Sequence, residues 1–342
     1  MNRLIQQNAS DTLMWDIWTS IYHLPALTAA DELGLFSSLG DNEWDLEYLA
    51  NQLNINTHST AVLVELLIGL GFITKNAGKI SLTPTAKRYL MPDSPAYWGV
   101  ILEPFRDKIE HKKIIQAIRQ GKNQLKFEKK SFSDMWEDGS VTSAAARSFT
   151  KRMHTTIFTP ALEAIKSGVF KSTKKLLDVG GGSACFSIAF TQAYPDCTAT
   201  VFELPAVCEI AKEYVSEYNA KQNVSIHAGN FFIKNNWPTN YDGIILSQIL
   251  HDWPLEKCKI ILEHAYSALP FGGKIYIHEM LLDDNRSSPL STACFNLLMF
   301  INHQSQQFSE AELINLLLAC GFSNPKTTLT FGYFSITMAT KL

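Results

Sequence analysis

The spacing of hydrophobic residues changes near residue 174, and this change predicts two kinds of structure in one chain. Before it, apolar residues recur at helical spacing, as in the amphipathic run TAADELGLFSSL. After it, short apolar runs alternate with amphipathic stretches, which is typical of β-α-β units with a parallel sheet. A chain of 342 residues is long enough for two domains with separate cores.

The first 95 residues predict a small helical domain that includes a hairpin. Helices are predicted over LEYLANQLNIN and HSTAVLVELLIGLGFI, with Ser59 or Thr60 as the N-cap of the second. The run FITKNAGKISLTPTAK then alternates around an Asn-Ala-Gly turn, as a hairpin does. Helix, turn, helix and hairpin form a winged helix, so we predict a winged-helix domain over residues 1–95.

The charge of this predicted winged helix argues against DNA binding. No Lys or Arg occurs from Leu4 to Thr74, whereas nine Asp and Glu do. DNA affinity requires cations that neutralise phosphates. The apolar N-terminal helix, which carries Trp15, Trp18 and Ile21, instead predicts a protein contact, and we expect a homodimer. Packing of this helix within its own domain is the alternative.

Residues 96–170 predict a helical connector. Its basic stretch from Lys108 to Lys130 is expected to lie on a solvated face. A further helix is predicted from Arg147 to Ile165, with a break at Pro160.

Residues 171–342 predict an α/β domain with a Rossmann-like parallel sheet. Strands are predicted at KKLLDVG, TATVFEL, NVSIHAG, YDGIILSQIL and GGKIYIHEML. Helices are predicted at SACFSIAFTQAY, PAVCEIAKEYVSEY, PLEKCKIILEHAYSAL and EAELINLLLACG. The runs KTTLTF and YFSITMAT predict a closing hairpin.

Composition excludes several classes of protein. The net charge of −3 gives no general attraction to nucleic acid or to an anionic membrane. No apolar run approaches 18 residues, and the polar, acidic start of the chain does not resemble a signal peptide. The six cysteines form no CxxC pair, which favours reduced thiols and a cytoplasmic location.

A glycine-rich turn between the first predicted strand and helix of this domain is the first candidate binding site. Gly180, Gly181 and Gly182 allow positive φ and close approach of a ligand. Taken alone, such a turn fits an NAD site, another nucleotide site or a plain tight turn. Its spacing is not that of a phosphate loop, and Asp178 just before it would repel a pyrophosphate but bind a ligand ammonium, directly or through water.

Residues after the next two strands narrow the ligand class. Glu203 ends the second strand, 23 residues after Gly180, where an acid accepts hydrogen bonds from ribose hydroxyls. After the third strand, Asn230 is placed to contact an adenine edge while Phe231 packs on the ring. Together these residues fit a cationic nucleoside without phosphates, which is S-adenosylmethionine.

The motif series DVGGG, FELP, HAGNFF, LHDWP and GGKIYIHE resembles the small-molecule O-methyltransferases. That family includes plant caffeic acid and isoflavone methyltransferases, animal acetylserotonin methyltransferase, and bacterial enzymes that methylate phenazines, anthracyclines and aromatic polyketides. The resemblance covers essentially the whole chain. It implies a winged-helix dimerisation domain followed by a class I methyltransferase domain over residues 171–342.

The resemblance also implies which residues contact the cofactor. They are Gly180, Glu203, Asn230, Phe231 and Ser247, with Trp253 near the adenine. Asp178, Gly182 and Leu204, next to these positions, complete the predicted cofactor site. Three positions depart from the usual pattern: Glu203 and Asn230 stand where Asp is usual, and Ala184 stands where Gly is usual.

Methyl transfer to a hydroxyl requires a group that orients the acceptor oxygen and removes its proton. His251, at the end of the fourth strand, is the predicted base by the family match at LHDWP. Glu279, at the end of the neighbouring fifth strand, is the predicted partner that fixes its tautomer. The family often supplies a second acid where this chain has Gln307. Asp252 is expected to support the loop.

Seven apolar or amide side chains are expected to line the acceptor pocket, by analogy with the family: Phe149, Met153, Phe158, Phe295, Leu298, Met299 and Asn302. Core packing is the alternative for each of them. Histidine spacing predicts no metal ion. Two other functions stay open: a winged-helix regulator, and a relative that retains the cofactor but catalyses a hydroxylation or pericyclic step.

Overall fold

The computed structural model describes residues 9–121, 132–303 and 305–342. The chain divides into a helical unit, Asp11–Ser131 with Leu282–Ser309, and a sheet unit, which contains Phe132–Leu281 with Glu310–Leu342. These bounds differ from the predicted ones in two places, because residues 132–170 group with the sheet and residues 282–309 group with the N-terminal helices. Residues 1–8, where no targeting segment was predicted, and residues 122–130 of the predicted basic stretch lie outside the described residues.

The described elements up to residue 120 are mostly short helices. They are α1 (Thr12–Thr19), α2 (His23–Glu32), α3 (Leu35–Leu39), α4 (Leu46–Leu53), α5 (Thr57–Gly69), β1 (Ile73–Asn76), β2 (Lys79–Leu82), α6 (Pro84–Tyr89), α7 (Gly99–Leu102) and α8 (Ile109–Gln120).

The elements from residue 132 onward alternate between helix and strand. They are α9 (Phe132–Glu137), α10 (Ser143–Lys166), β3 (Lys175–Val179), α11 (Cys185–Ala193), β4 (Thr198–Glu203), α12 (Pro205–Glu217), β5 (Val224–Ala228), β6 (Gly243–Ser247), α13 (Leu255–Ala268), β7 (Lys274–Met280), α14 (Leu290–His303), α15 (Glu310–Ala319), β8 (Phe322–Phe331) and β9 (Phe334–Lys341). The predicted strands, helices and C-terminal hairpin of residues 171–342 are confirmed.

The helical unit contains the predicted helix–turn–helix and hairpin, formed by α4, α5, β1 and β2. The hairpin turn has Ala77 at φ 46° and Gly78 at φ 82°, and two positive values are what a tight two-residue hairpin turn requires. The predicted N-cap of α5 is wrong. The cap is Asn56, whose Oδ1 accepts a hydrogen bond of 2.8 Å from the Ser59 N–H, so the helix starts earlier.

Two other helix predictions are corrected by the structure. The run over residues 28–39 is two helices, α2 and α3, because Gly34 adopts φ 72° between them. Helix α10 continues through Pro160 instead of breaking there. Proline removes one backbone hydrogen bond, but this helix is 24 residues long and packs along α11 and α12, and that packing keeps it continuous.

A seven-stranded sheet organises the sheet unit, with the order β5-β4-β3-β6-β7-β9-β8. Strands β3 to β7 pair in parallel, and β9 pairs antiparallel with both neighbours. The strand order reverses between β3 and β6, so the carboxyl ends of these two strands border the crevice where open α/β sheets bind ligands. The predicted glycine turn follows β3, and the predicted base follows β6.

Each unit has its own hydrophobic core. In the helical unit, α5 and α14 contribute Leu63, Leu66 and Leu297 to one buried cluster. In the sheet unit, Ile165 of α10 and Phe190 of α11 share one buried cluster with Ile245 of β6, so these helices cover one face of the sheet. None of the helices in the described part of the chain is long and apolar enough to cross a membrane.

Candidate active site

The glycine turn after β3 has the backbone geometry that only glycine adopts without strain. Gly180 and Gly182 have φ values of 66° and 53°. A Cβ on Gly180 would lie 2.4 Å from Ile249 Cδ1, and one on Gly181 would lie 2.7 Å from Asp178 Cγ. Ala184, which stands where the family usually has Gly, has φ 65°, a conformation that costs energy for a residue with a Cβ.

Asp178 lies beneath this turn and not at an open surface. Its side chain is buried, and its Oδ2 accepts hydrogen bonds from the Ser187 hydroxyl at 2.8 Å and the Ser187 N–H at 3.2 Å. Burial raises its pKa to about 6, against the lowering effect of the bonds to Ser187. Asp178 therefore ties the glycine turn to α11, and a contact with a ligand ammonium stays a prediction.

Glu203 at the end of β4 lies beside the glycine turn. It is 7% exposed, and its Oε2 accepts a hydrogen bond of 2.6 Å from the Leu204 N–H. Burial raises the pKa of Glu203 to about 7, while backbone hydrogen bonds from Leu204 and Gly182 act in the opposite direction. The bond from Gly182 places two predicted cofactor residues in direct contact.

The loop after β5 brings Asn230 and Phe231 to the same end of the sheet. Asn230 Nδ2 donates to the Glu137 carbonyl at 2.6 Å, and its Oδ1 accepts from the Phe232 N–H at 2.8 Å. The amide thus connects this loop to the end of α9. Each of these amide atoms can form one more hydrogen bond, so an adenine contact stays a prediction.

Aromatic rings form a wall next to this loop. Phe231 and Trp253 are 8% and 5% exposed. Their ring centroids are 6.1 Å apart, and Phe232 packs edge-on against Trp253 at 4.6 Å. Phe231 and Trp253 were predicted from the sequence, whereas Phe232 was not. Its position next to Phe231 in HAGNFF was a signal that the rings of both phenylalanines lie near one site.

Ser247, the last residue of β6, contacts a buried imidazole that the sequence analysis missed. Ser247 Oγ lies 3.0 Å from His278 Nδ1, and the two residues are register partners of β6 and β7. The His278 ring stacks on Phe334 at 4.9 Å, and burial lowers the pKa of His278 to about 3. The position of His278 directly before Glu279 was a signal that it lies near the site. The sequence alone does not show which histidines are neutral.

The predicted base and its predicted partner form a buried pair. His251 Nδ1 lies 2.9 Å from Glu279 Oε2, and the side chains are 5% and 1% exposed. A short 3-10 turn, Leu250–Asp252, carries the imidazole over the end of β6, while Glu279 stands near the end of β7. His251 Nε2 lies 3.5 Å from Asp252 Oδ1. Buried Cys258 is a close neighbour, and burial together with Glu279 raises its pKa.

Gln248 also contacts this pair, and it was not predicted from the sequence. Its side-chain Nε2 donates to Glu279 Oε2 at 2.9 Å, and its φ is 56°. Nothing in the residue type signals this conformation, because glutamine rarely adopts positive φ.

The predicted acceptor-pocket residues fall in both units, which we describe separately. In the sheet unit, Phe149, Met153 and Phe158 lie on α10, where the Phe149 ring packs on Trp136 at 5.1 Å. In the helical unit, the other four residues lie on α14: Phe295, Leu298, Met299 and Asn302. Phe295 and Met299 are buried there, and Phe295 packs on Trp15 at 5.4 Å. Their assignment to one pocket stays a prediction.

Gln307 belongs to the helical unit. Its N–H donates to Asn296 Oδ1 at 2.9 Å, and Asn296 in turn donates to Glu65 Oε2 at 3.1 Å. Arg286 Nε donates to Glu65 Oε1 at 2.8 Å, so a partly buried ion pair holds this segment against α5. Within the described residues, no group of three or more His, Cys, Asp or Glu could hold a metal ion.

Comparison with known proteins identifies the family. A model described as an O-methyltransferase domain matches residues 111–323. The 3-hydroxy-5-methyl-1-naphthoate 3-O-methyltransferase of Streptomyces sahachiroi is 28% identical over 318 residues, covering 92% of this chain and 90% of that protein.

Two solved structures share the fold. An O-methyltransferase family 2 protein from Planctomyces limnophilus, in complex with apigenin, matches with a TM-score of 0.86 and 24% identity, covering 100% of this chain and 99% of that one. Human N-acetylserotonin methyltransferase, in complex with S-adenosylmethionine, matches with a TM-score of 0.60 and 24% identity, covering 100% and 99%. The chain is therefore a member of the S-adenosylmethionine-dependent O-methyltransferase family.

Proposed function

We propose that this enzyme transfers the methyl group of S-adenosylmethionine to a hydroxyl of a small aromatic molecule, with His251 as general base and Glu279 as its orienting partner. The observation that carries the proposal is the 2.9 Å contact between His251 Nδ1 and Glu279 Oε2 at the carboxyl ends of β6 and β7. Such a pair stands where open α/β sheets bind their ligands.

The residues at this end of the sheet fit the cofactor. Gly180 and Gly182 adopt positive φ and carry no side chain, so the cofactor can approach the backbone of the turn closely. The buried Glu203 carboxylate has acceptor capacity for ribose hydroxyls, and the Phe231 and Trp253 rings supply an apolar surface for adenine. When bound, S-adenosylmethionine supplies an activated methyl group on a positively charged sulfur. No phosphate-binding lysine follows the turn, which agrees with a nucleoside that carries no phosphate.

The contact at Nδ1 defines which nitrogen acts. In a neutral imidazole one nitrogen donates and the other accepts. With Nδ1–H donating to Glu279, the lone pair of Nε2 accepts a proton from the acceptor hydroxyl. The carboxylate then stabilises the imidazolium that forms.

The proton transfer either accompanies methyl transfer or requires a site that stabilises the imidazolium and the phenolate. An ordinary phenol has a pKa near 10 and an ordinary histidine near 6.5, so a separate deprotonation step would cost about 5 kcal/mol. Removal of the proton while the new bond to carbon forms avoids that separate cost.

An aromatic acceptor is supported by two similarities and by the predicted pocket residues. The relative from Streptomyces sahachiroi acts on a hydroxynaphthoate, and the structure from Planctomyces limnophilus holds apigenin. Six of the seven residues that the sequence predicts for the pocket are Phe, Met or Leu, which suit ring systems.

We further propose that the enzyme is a homodimer that uses the N-terminal helices of the helical unit. Leu13, Met14 and Ile17 on α1 are 66%, 68% and 61% exposed. Trp18 and Ile21 continue this exposed apolar stripe, whereas Trp15 turns inward. A run of large apolar side chains on one helix favours contact with a second subunit.

The proposal is tested by incubating the enzyme with S-adenosylmethionine and a panel of hydroxylated aromatics. Mass spectrometry should show an acceptor heavier by one methyl group together with S-adenosylhomocysteine. His251→Ala should lower kcat on the order of 10²-fold or more while cofactor affinity stays nearly intact. His23→Gln, in the helical unit, is the control and should retain kcat. Full activity of His251→Ala, or a product changed by oxidation or rearrangement without an added methyl, would contradict the proposal.

A further inference from the structure

Gln248 leaves strand β6 in an unusual conformation. Its N–H still donates to the His278 carbonyl at 2.9 Å, which continues the ladder between β6 and β7. Its φ is 56°, a region that costs conformational energy for a residue with a Cβ. Strained backbone of this kind persists only where surrounding contacts compensate, and it is concentrated at functional sites.

The side chain of Gln248 supplies such a contact at the catalytic pair. Gln248 Nε2 donates to Glu279 Oε2 at 2.9 Å, and His251 Nδ1 lies 2.9 Å from the same oxygen. The other carboxylate oxygen, Oε1, lies 3.5 Å from the His251 backbone nitrogen. The carboxylate is therefore held on one oxygen by an amide and an imidazole.

Two donors on one oxygen have a chemical consequence. An ionised carboxylate only accepts hydrogen bonds, so donors on both sides of Oε2 fix the rotamer of Glu279. With the carboxylate fixed, Nδ1 of His251 keeps its proton and Nε2 stays the acceptor. Charge-assisted bonds of this type are among the stronger hydrogen bonds in proteins.

We infer that Gln248 is a positioning residue of the methyl-transfer reaction: it holds Glu279 so that His251 presents Nε2 as the base. This inference rests on the proposed function, because it assigns a role within the same catalytic pair. Gln248 also directly follows Ser247, a predicted cofactor contact, so one short segment carries both the cofactor contact and the support of the base.

The chain allows a set of matched substitutions. Gln248→Met keeps the length of the side chain and removes the donor. Gln248→Glu keeps the shape and places a second carboxylate against Glu279, which repels it. Gln192→Met is the control, because Gln192 Nε2 donates to the Tyr218 carbonyl at 3.2 Å away from the catalytic pair.

Kinetics give the first measurement. Gln248→Met should lower kcat about tenfold, and Gln248→Glu should lower it further, because a misplaced base loses its alignment with the acceptor. The dissociation constant of S-adenosylhomocysteine should stay within about twofold of the wild-type value, since the base does not hold the cofactor. Gln192→Met should match the wild type in both quantities. A kcat of Gln248→Met equal to that of the wild type would overturn the inference.

A second measurement does not depend on turnover. In enzyme with ¹⁵N-labelled histidine, the His251 resonances, assigned by their absence in His251→Ala, should report a proton on Nδ1 and none on Nε2. Gln248→Met and Gln248→Glu should lose this single tautomer, whereas Gln192→Met should keep it. Unchanged His251 resonances in both Gln248 variants would overturn the inference. Absence of methyl transfer by the wild type would instead count against the proposed function, and the resonances would still decide the role of Gln248.

Discussion

At the scale of single residues, burial sets the protonation of side chains around the candidate site. It raises the pKa of Asp178 to about 6 and of Glu203 to about 7, and it lowers the pKa of His278 to about 3. In each case burial shifts the protonation equilibrium towards the neutral form, because the charged form loses its hydration. The sequence predicted the two acids as site residues but not their protonation, which depends on how completely the surrounding strands and helices exclude water.

Cofactor affinity should depend on the charge of Glu203. Ribose hydroxyls that donate to the carboxylate favour its ionised form, so binding releases a proton when the pH is near or below 7. Affinity for S-adenosylhomocysteine should therefore rise by up to about tenfold between pH 6 and pH 8. Isothermal calorimetry measures this, and Glu203→Gln should bind more weakly with no such rise. A flat pH dependence in the wild type would contradict the role of Glu203.

His278 should make the protein less stable in mild acid. Its pKa in the folded protein is about 3, below the value of 6.5 for an unperturbed histidine, so the unfolded chain binds the extra proton below pH 6.5. The free energy of unfolding should fall by about 2 kcal/mol from this group between pH 7 and pH 5. In urea unfolding, the decrease in the free energy of unfolding between pH 7 and pH 5 should be smaller for His278→Leu than for the wild type. Equal losses in both proteins would mean that His278 does not titrate as described.

At the scale of elements, the glycine turn after β3 is expected to be intolerant of any side chain. Gly180→Ala adds a Cβ at 2.4 Å from Ile249 Cδ1 in addition to the strain of a positive φ. Gly272→Ala is the matched control, since Gly272 has φ 78° and no heavy atom within 4 Å of an added Cβ. We expect Gly180→Ala to weaken cofactor binding at least about tenfold and Gly272→Ala to leave it unchanged. Equal calorimetric affinities in the two variants would contradict this account of the turn.

The secondary structure of the sheet unit could be predicted because each strand is a short apolar run bounded by polar residues. The errors have local physical causes. The side chain of Asn56 caps α5, so the helix starts before Ser59 and Thr60, which were predicted as the N-cap. Pro160 stays inside α10 because packing on both neighbouring helices outweighs one lost hydrogen bond.

The candidate site was predicted less completely than the strands. His251 was predicted from the family match at LHDWP and Glu279 from its place at the end of the neighbouring strand, and in the structure His251 Nδ1 lies 2.9 Å from Glu279 Oε2. Gln248 could not be predicted, because its role depends on a positive φ and a side-chain direction that the residue type does not signal. His278 could not be assigned either, since its partner is set by the pairing of β6 with β7.

At the scale of the whole molecule, the exposed apolar stripe of α1 allows a test of the oligomeric state. Ile17→Asp places a charge on a helix face that is expected to be covered by a second subunit, so it should convert a dimer to a monomer in sedimentation experiments. Phe271→Asp is the control, because Phe271 is 81% exposed on a loop of the sheet unit. It should leave the dimer intact. A monomeric wild type, or an Ile17→Asp variant of unchanged mass, would contradict the proposed dimer.

The most direct test of the catalytic assignment is a structure of the enzyme with S-adenosylhomocysteine and an accepted aromatic substrate. We predict that the acceptor oxygen lies within about 3.2 Å of His251 Nε2, with Glu279 still bonded to Nδ1 and the oxygen facing the sulfur. An acceptor oxygen placed against a different base, or an imidazole turned away from it, would contradict the assignment of His251 as the general base.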